Sequence, residues 1–193
     1  MSSDDTKVCQ AEVILSAAYN CIAVQGYANT SLRDIAESAG VVLSQINYYY
    51  KNKEGLFIEV IKMMIKKHRV EMESRIQLGE TAVERLISLI NYYREVLENN
   101  PKIFRLLFDF SSMALWSETF GNLLYSMYDD LAILIEKHIL IKDLANTRLA
   151  HFAPQSIARM VIGAMLGTAI QVMLNPQNKR ITDSLSAIEL VLA

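Results

Sequence analysis

The stretch TSLRDIAESAGVVLSQINYYYKNKEGL, Thr30 to Leu56, constrains the fold of this chain more than any other. Thr30 or Ser31 can cap a helix, after which Leu32, Ile35, Ala36 and Ala39 recur at i, i+3, i+4 and i+7. Gly40 follows where the chain must turn and a side chain would resist positive φ. Val41 is placed to anchor that turn in a core. A short helix from about Leu43 to Tyr49 comes next, with Ile46 inward, and Lys53 opens a long helix that reaches about Ile76. Helix, glycine turn and short helix in this order form a helix-turn-helix, which sets its second helix into the major groove of DNA.

The rest of the chain reads as all-α. Only three prolines and seven glycines interrupt 193 residues, and no run alternates at period two. Residues 1–6 read as a loose polar tail. A first helix spans about Lys7 to Gln25, its inner face made by Ile14, Ala17, Ala18 and Cys21, and Gly26 ends it. Further helices are predicted at about Thr81–Asn99, Lys102–Leu115, Glu118–Leu144, Pro154–Leu174 and Thr182–Leu192. Their breaks fall at Gly79, Asn99-Asn100-Pro101 and Asn175-Pro176, while Pro154 suits a first helical turn. No linker rich in Pro, Gly or Ser divides the chain, so the fourth helix itself joins front to back.

Charge argues for local rather than chain-wide contact with nucleic acid. The formal net charge is −2, but residues 1–70 carry eight basic and seven acidic side chains, so the acidic excess lies behind them. Cys9 and Cys21 both fall in or beside the first helix, are poor partners for each other and read as packing residues. The polar, acidic start carries no signal peptide, which points to the cytoplasm. The apolar run Met160–Leu174 is shorter than the ~20 residues of a membrane span, so no membrane partner is expected, and it reads as a core or dimer helix.

In the short helix, Ser44, Gln45, Asn47 and Tyr48 can face base edges, and Gln and Asn can each pair bidentately with adenine. Tyr48 and Tyr49 can reach phosphates or sugars. Lys53 and the free N–H groups of its helix start suit a phosphate, as do Thr30 and Ser31 one helix earlier, with Arg33 a turn in. Arg33 could instead pair with Glu37.

Taken with ILSAAYNCIAVQGY, Ile14 to Tyr27, this region resembles the DNA-binding region of the TetR/AcrR family of bacterial transcriptional regulators. The resemblance implies DNA-facing roles at Thr30, Gln45, Tyr48, Tyr49 and Lys53, and a core role at Tyr50. Val42 departs from the frequent serine that starts the reading helix, Ser44 from a glycine and Asn47 from a tyrosine. The expected architecture is a helix-turn-helix DNA-binding domain over residues 1–53 and a helical ligand-binding and dimerisation domain over 54–193.

The resemblance further implies a two-fold dimer on palindromic operator DNA and a pocket for a small-molecule effector, apolar or amphipathic, that releases a repressor. Ala158, Gly163, Ala164 and Gly167 are small enough for close helix contact at a homodimer interface. Tyr92, Phe104, Phe108, Met113, Trp116, Phe120, Tyr125 and Met127 are candidate pocket residues, with Asp109 as a polar partner. Each could equally be solid core. His68, His138 and His151 are isolated, and no metal-ligand, phosphate-loop or nucleophile motif is present, so neither enzyme nor cofactor is expected. The rival reading is an all-helical protein-interaction module without DNA binding, suggested by the acidic charge and by Val42.

Overall fold

The computed structural model describes the backbone of residues 3–140 and 151–191 and the side chains of 10–139 and 151–188. Every regular element among them is helical: α1 Ser3–Gln25, α2 Leu32–Ala39, α3 Leu43–Tyr50, α4 Lys53–Ile76, α5 Ala82–Asn99, α6 Lys102–Ala114, α7 Glu118–Ile135, α8 Pro154–Leu174 and α9 Arg180–Asp183. A π-helical turn, Glu136–Leu140, continues α7, and a 3-10 turn, Ser186–Val191, follows α9. The expected helix ends at Leu144 and Leu192 lie outside the described residues.

Two boundaries differ from the sequence reading. α1 begins at Ser3 rather than near Lys7. No Gly or Pro stops it there. The helix expected over Thr182–Leu192 is instead the single turn α9 and a 3-10 turn. There Ser184 and Thr182 donate their hydroxyls to the carbonyls of Ile181 and Lys179, which competes with a continuous helix.

The head of the molecule is built from α1, α2, α3 and the start of α4. Ile14, Ala17 and Ala18 of α1 meet Ile35 and Ala36 of α2, Ile46 of α3 and Leu56 of α4 in one buried cluster. Gly40 takes φ 65 and ψ 33, and the next N–H, of Val41, bonds back to Ala36 O at 3.0 Å. That left-handed cap closes α2 and turns the chain into α3. Tyr50, the expected core residue, is half-buried, and its hydroxyl donates to Ala11 O at 2.8 Å. Burial pushes its pKa up to about 12, with Glu59 adding to the shift.

Gly55 permits the close approach of α3 and α4. A Cβ there would lie 2.4 Å from Tyr50 O, a backbone atom that cannot give way.

The body packs α5, α6, α7 and α8 around the far half of α4. One face of α8, Ile157, Ala158, Val161, Ile162, Met165 and Ala169, lies in this core, and Tyr93 donates to Met165 O at 2.8 Å. By length and composition the whole 21-residue helix could cross a membrane. The sequence places the helix at these same bounds, Pro154 to Leu174, but the length argument against a membrane span counted only its apolar run from Met160.

Head and body share Phe57. Its ring, fully buried, lies 4.5 Å from Tyr27 in the loop after α1, 6.4 Å from Phe110 of α6 and 5.8 Å from Phe120 of α7. Replacing Phe57 by Ala should cost about 3–5 kcal/mol. Urea unfolding followed by helical signal should show the extrapolated unfolding free energy falling by that amount, with the midpoint lowered in proportion.

Candidate nucleic-acid interface and ligand cavity

The face that α3 turns outward is set by what caps it. Val42 occupies the N-cap with extended backbone and is largely exposed, and its side chain accepts nothing. Gln45 takes over, its Oε1 accepting the Val42 N–H at 3.1 Å. The departure at Val42 therefore does not break the helix. Gln45, expected to face bases, is half-buried and committed through its carbonyl to this bond, leaving its amide N–H groups free. Ser44, Asn47 and Tyr48 are exposed along one side of α3, at i, i+3 and i+4.

The flanking groups divide sharply. Ser31 caps α2: its Oγ accepts the Asp34 N–H, and its own N–H donates to Asp34 Oδ2 at 2.7 Å. That backbone bond holds the Asp34 carboxyl below its usual range. The Ser31 hydroxyl proton remains available to a phosphate. Thr30 is different. It is 1% exposed and donates its hydroxyl to Gly26 O at 2.8 Å, so its side chain braces the loop and cannot reach DNA. Tyr49 is half-buried, with its hydroxyl 3.4 Å from Gln10 Oε1, which ties α3 to α1. Arg33 is exposed and makes no ion pair with Glu37.

Lys53 sits at the first position of α4, beside the Asn52 cap, whose Oδ1 accepts the Gly55 N–H at 2.7 Å. Its Nζ lies 4.3 Å from the centre of the Tyr27 ring. Partial burial lowers its pKa, and Asp34 partly restores it. Lys51, not singled out from sequence, is an exposed cation between α3 and α4 with φ 64. The basic exit KNK marks it, but nothing in the sequence foretells its left-handed backbone.

Tyr27 also links the head to the body. Its backbone N–H donates to Asp109 Oδ2 of α6 at 2.8 Å. Gly26, at φ 83, precedes it, and a Cβ there would sit 3.2 Å from the same carboxylate oxygen. Asp109 is thus a tie between α6 and the α1–α2 loop, not a pocket residue.

The body holds a partly open cavity of about 130 Å³. α4 lines it with Met64, Ile65, His68 and Met72, and α5 with Tyr92, Tyr93 and Val96. Ile103, Phe104 and Leu107 come from α6, Met127, Tyr128, Leu131 and Leu134 from α7, and Ile162, Met165 and Leu166 from α8. Of the expected pocket residues, only Tyr92, Phe104 and Met127 are there. Phe120 belongs to the Phe57 cluster, and Phe108 and Met113 pack elsewhere against the core. Trp116 and Tyr125 are 90% and 65% exposed. The sequence reading missed the α4 and α8 walls, although the core methionines of α4 signalled the first.

A cleft between α4 and α7 adjoins the cavity, sharing Ile65, Arg69, Met127 and Asp130 with it. Among the described residues no group of three or more His, Cys, Asp or Glu is placed to hold a metal ion. At the expected dimer residues the structure also divides the set. Ala158 is fully buried within the protomer, so it cannot meet a partner. Gly163 and Ala164 are exposed and Gly167 is half-exposed, in a face that also shows Met160, Ile170 and Leu174.

Comparison with known proteins fits this geometry. The family model for bacterial regulatory proteins of the tetR family matches residues 14–60. The fatty acid metabolism regulator protein of Bacillus subtilis is 34% identical over 90 residues, 47% of this chain and 46% of that one. The chain thus matches less than half the length of this curated relative. The crystal structure of a transcriptional regulator from Rhodococcus sp. Rha1 superposes with a TM-score of 0.81 at 15% identity, over 94% of this chain and 95% of that one. The fatty acid degradation regulator FadR from Bacillus halodurans gives 0.76 at 16% identity, over 95% and 94%. At such identities the superpositions establish the shared fold.

His68 lines the cavity, and burial lowers its pKa; Glu71 opposes the shift and Lys67 adds to it. Tyr92 and Tyr93 of α5 and Tyr128 and Asp130 of α7 are the other titratable groups on the facing walls. A folded pKa below the unfolded 6.5 means the contribution to stability is full above 6.5 and lost as pH falls through the folded value. Urea unfolding at about pH 7 and about pH 5 should therefore show a larger loss for the wild type than for His68→Gln.

Proposed function

Since residues 14–60 place this chain in the tetR family of bacterial regulatory proteins, we propose that it is a ligand-responsive transcriptional regulator acting in the cytoplasm. It binds palindromic operator DNA as a homodimer and acts as a repressor that a small apolar or amphipathic effector releases. Residues 1–53 read DNA, and residues 54–193 bind the effector and dimerise.

The observation that carries this reading is the course of α4. Its first residue is Lys53, beside the exposed face of α3, and its later turns supply Met64, His68 and Met72 to the cavity wall. One rigid element thus meets both the phosphate site and the ligand site. A ligand that fits the cavity better in one tilt of α4 than in another biases the head accordingly. The Asp109–Tyr27 bond and the Tyr27 ring under Lys53 give α6 a second hold on the same lysine.

Ser44, Asn47 and Tyr48 are the base-facing candidates, joined by the free amide of Gln45. Ser31, Arg33 and Lys53 are the phosphate candidates, and exposed Lys51 joins them. The cavity lining suits an apolar effector, and the names of the two Bacillus proteins, which concern fatty acids, point the same way. A repressor needs no catalytic group, and this reading assigns none.

A single α3 reads too few bases for a specific site, so two heads must act together about 34 Å apart. The exposed stripe of α8, small at Gly163 and Ala164 and apolar at Met160, Ile170 and Leu174, is the surface a second copy would cover.

With a palindrome from DNA flanking its gene, titrated by fluorescence anisotropy across a salt series, Lys53→Ala should weaken binding to all sequences and reduce the salt slope by about 1. Asn47→Ala should instead change base preference at one position, by about 1–3 kcal/mol. If both variants merely scale affinity for every sequence alike, the division into phosphate and base contacts is wrong. No binding by the wild type to any flanking DNA favours the protein-interaction module. Ala164→Arg should sediment as a monomer in ultracentrifugation and lose palindrome binding while keeping its helical content. A dimer that persists would move the interface away from α8.

A further inference from the structure

The polar groups of the cavity wall are not free to choose their roles. Tyr92 Oη lies 3.0 Å from Glu71 Oε2 and 2.6 Å from His68 Nδ1. A carboxylate only accepts, so the single phenol proton goes to Glu71. The short contact to His68 must then run the other way, with Nδ1–H donating to the phenol oxygen. A neutral imidazole has one N–H, so Nε2 carries a bare lone pair. Among the described residues no hydrogen bond is made to Nε2, and the side chain lines the cavity while keeping 18% exposure.

The neighbouring donors are already committed. Tyr92 gives its proton to Glu71 and Tyr93 gives its proton to Met165 O. Arg69, at the cleft side, faces Asp130 at 4.0 Å. Tyr128 keeps a hydroxyl that can turn to donate or accept. Burial disfavours a charged imidazole, so His68 stays a neutral acceptor at pH 7.

We propose that this cavity selects apolar ligands bearing a neutral hydrogen-bond donor, a hydroxyl or an amide N–H, which bonds to His68 Nε2, and that Glu71 acting through Tyr92 holds the imidazole in the tautomer that accepts it. A ligand with an ionised carboxylate in that place would set two lone pairs against each other and must bring a proton. The inference rests on the reading of the cavity as the effector site.

Two measurements test it on the full chain. Nitrogen-15 NMR of protein labelled at histidine should show His68 protonated at Nδ1 and bare at Nε2 near pH 7. A protonated Nε2 overturns the proposal. Calorimetric titration with 1-naphthol and its methyl ether, in which a methyl group replaces the donor proton, should give about tenfold tighter binding of the naphthol despite the ether's added apolar group, a factor worth about 1.4 kcal/mol. In His68→Phe the preference should vanish while the ether still binds. Equal affinities in the wild type, or a preference that survives in His68→Phe, overturn the role of His68 and leave the cavity standing. Binding of neither compound overturns the cavity reading and this proposal with it. Should His68→Phe not fold, the NMR assignment and the wild-type affinity ratio still decide.

Discussion

The structure depends on one buried ring. Phe57 is the point where the core of the head and the core of the body become one, touched by the α1–α2 loop through Tyr27 and by α6 and α7 through Phe110 and Phe120. Aromatic rings in edge-on and tilted contact resist sliding because each is confined by the others. Without that packing only the contacts of α1 with α6 and the Asp109–Tyr27 bond would brace α4 against both halves. With it, α4 is a beam built into both. The Asp109–Tyr27 bond adds direction to the joint, because a carboxylate accepting a backbone N–H fixes where the loop lies as well as that it is held.

The head shows how a local departure is absorbed. Serine in the place of Val42 would cap α3 by its own hydroxyl. Here the burden passes to Gln45, which reaches back to the orphan N–H. The helix survives, at the cost of drawing one polar side chain partly away from the reading face. The outward set is thereby narrowed to Ser44, Asn47 and Tyr48. Thr30 is removed from the phosphate set by the same logic, since its hydroxyl is needed inside the loop.

What was legible in the sequence follows the range of the forces involved. Ser31, Gly40, Val41 and Ile46 act within a few residues of themselves, and their roles as cap, turn, anchor and core could be read directly. The body was legible as helices but not as a cavity. Phe104 and Phe108 are one turn apart, yet one lines the cavity and the other packs elsewhere, because the facing helices, not the spacing, decide. Asp109 looked like a polar group in an apolar wall. Its partner lies 82 residues away, beyond any local rule. Trp116, the largest apolar side chain, falls at the end of α6 where no helix covers it. His68, isolated in sequence, gains its chemistry from the α5 tyrosine and from Glu71 behind it.

The dimensions of α4 limit how the proposed control can work. At 1.5 Å per residue, His68 lies roughly 16 Å from Phe57 on one side and Lys53 roughly 6 Å on the other. If Phe57 is the pivot, a shift of about 1 Å at the cavity moves Lys53 by only about 0.4 Å. That is too little to break a phosphate contact, whose donor and acceptor tolerate a few tenths of an ångström. The effect must come from turning the head as one body, by roughly 4° for the same shift. In a two-fold dimer the axis reverses in one head the sideways displacement of the other, so the two displacements add in the separation between reading helices. Two helices required to fit grooves one helical turn apart cannot both follow such a change. The rigidity of the Phe57 joint is therefore what allows a small apolar ligand to matter: a softer joint would absorb the tilt before it reached α3.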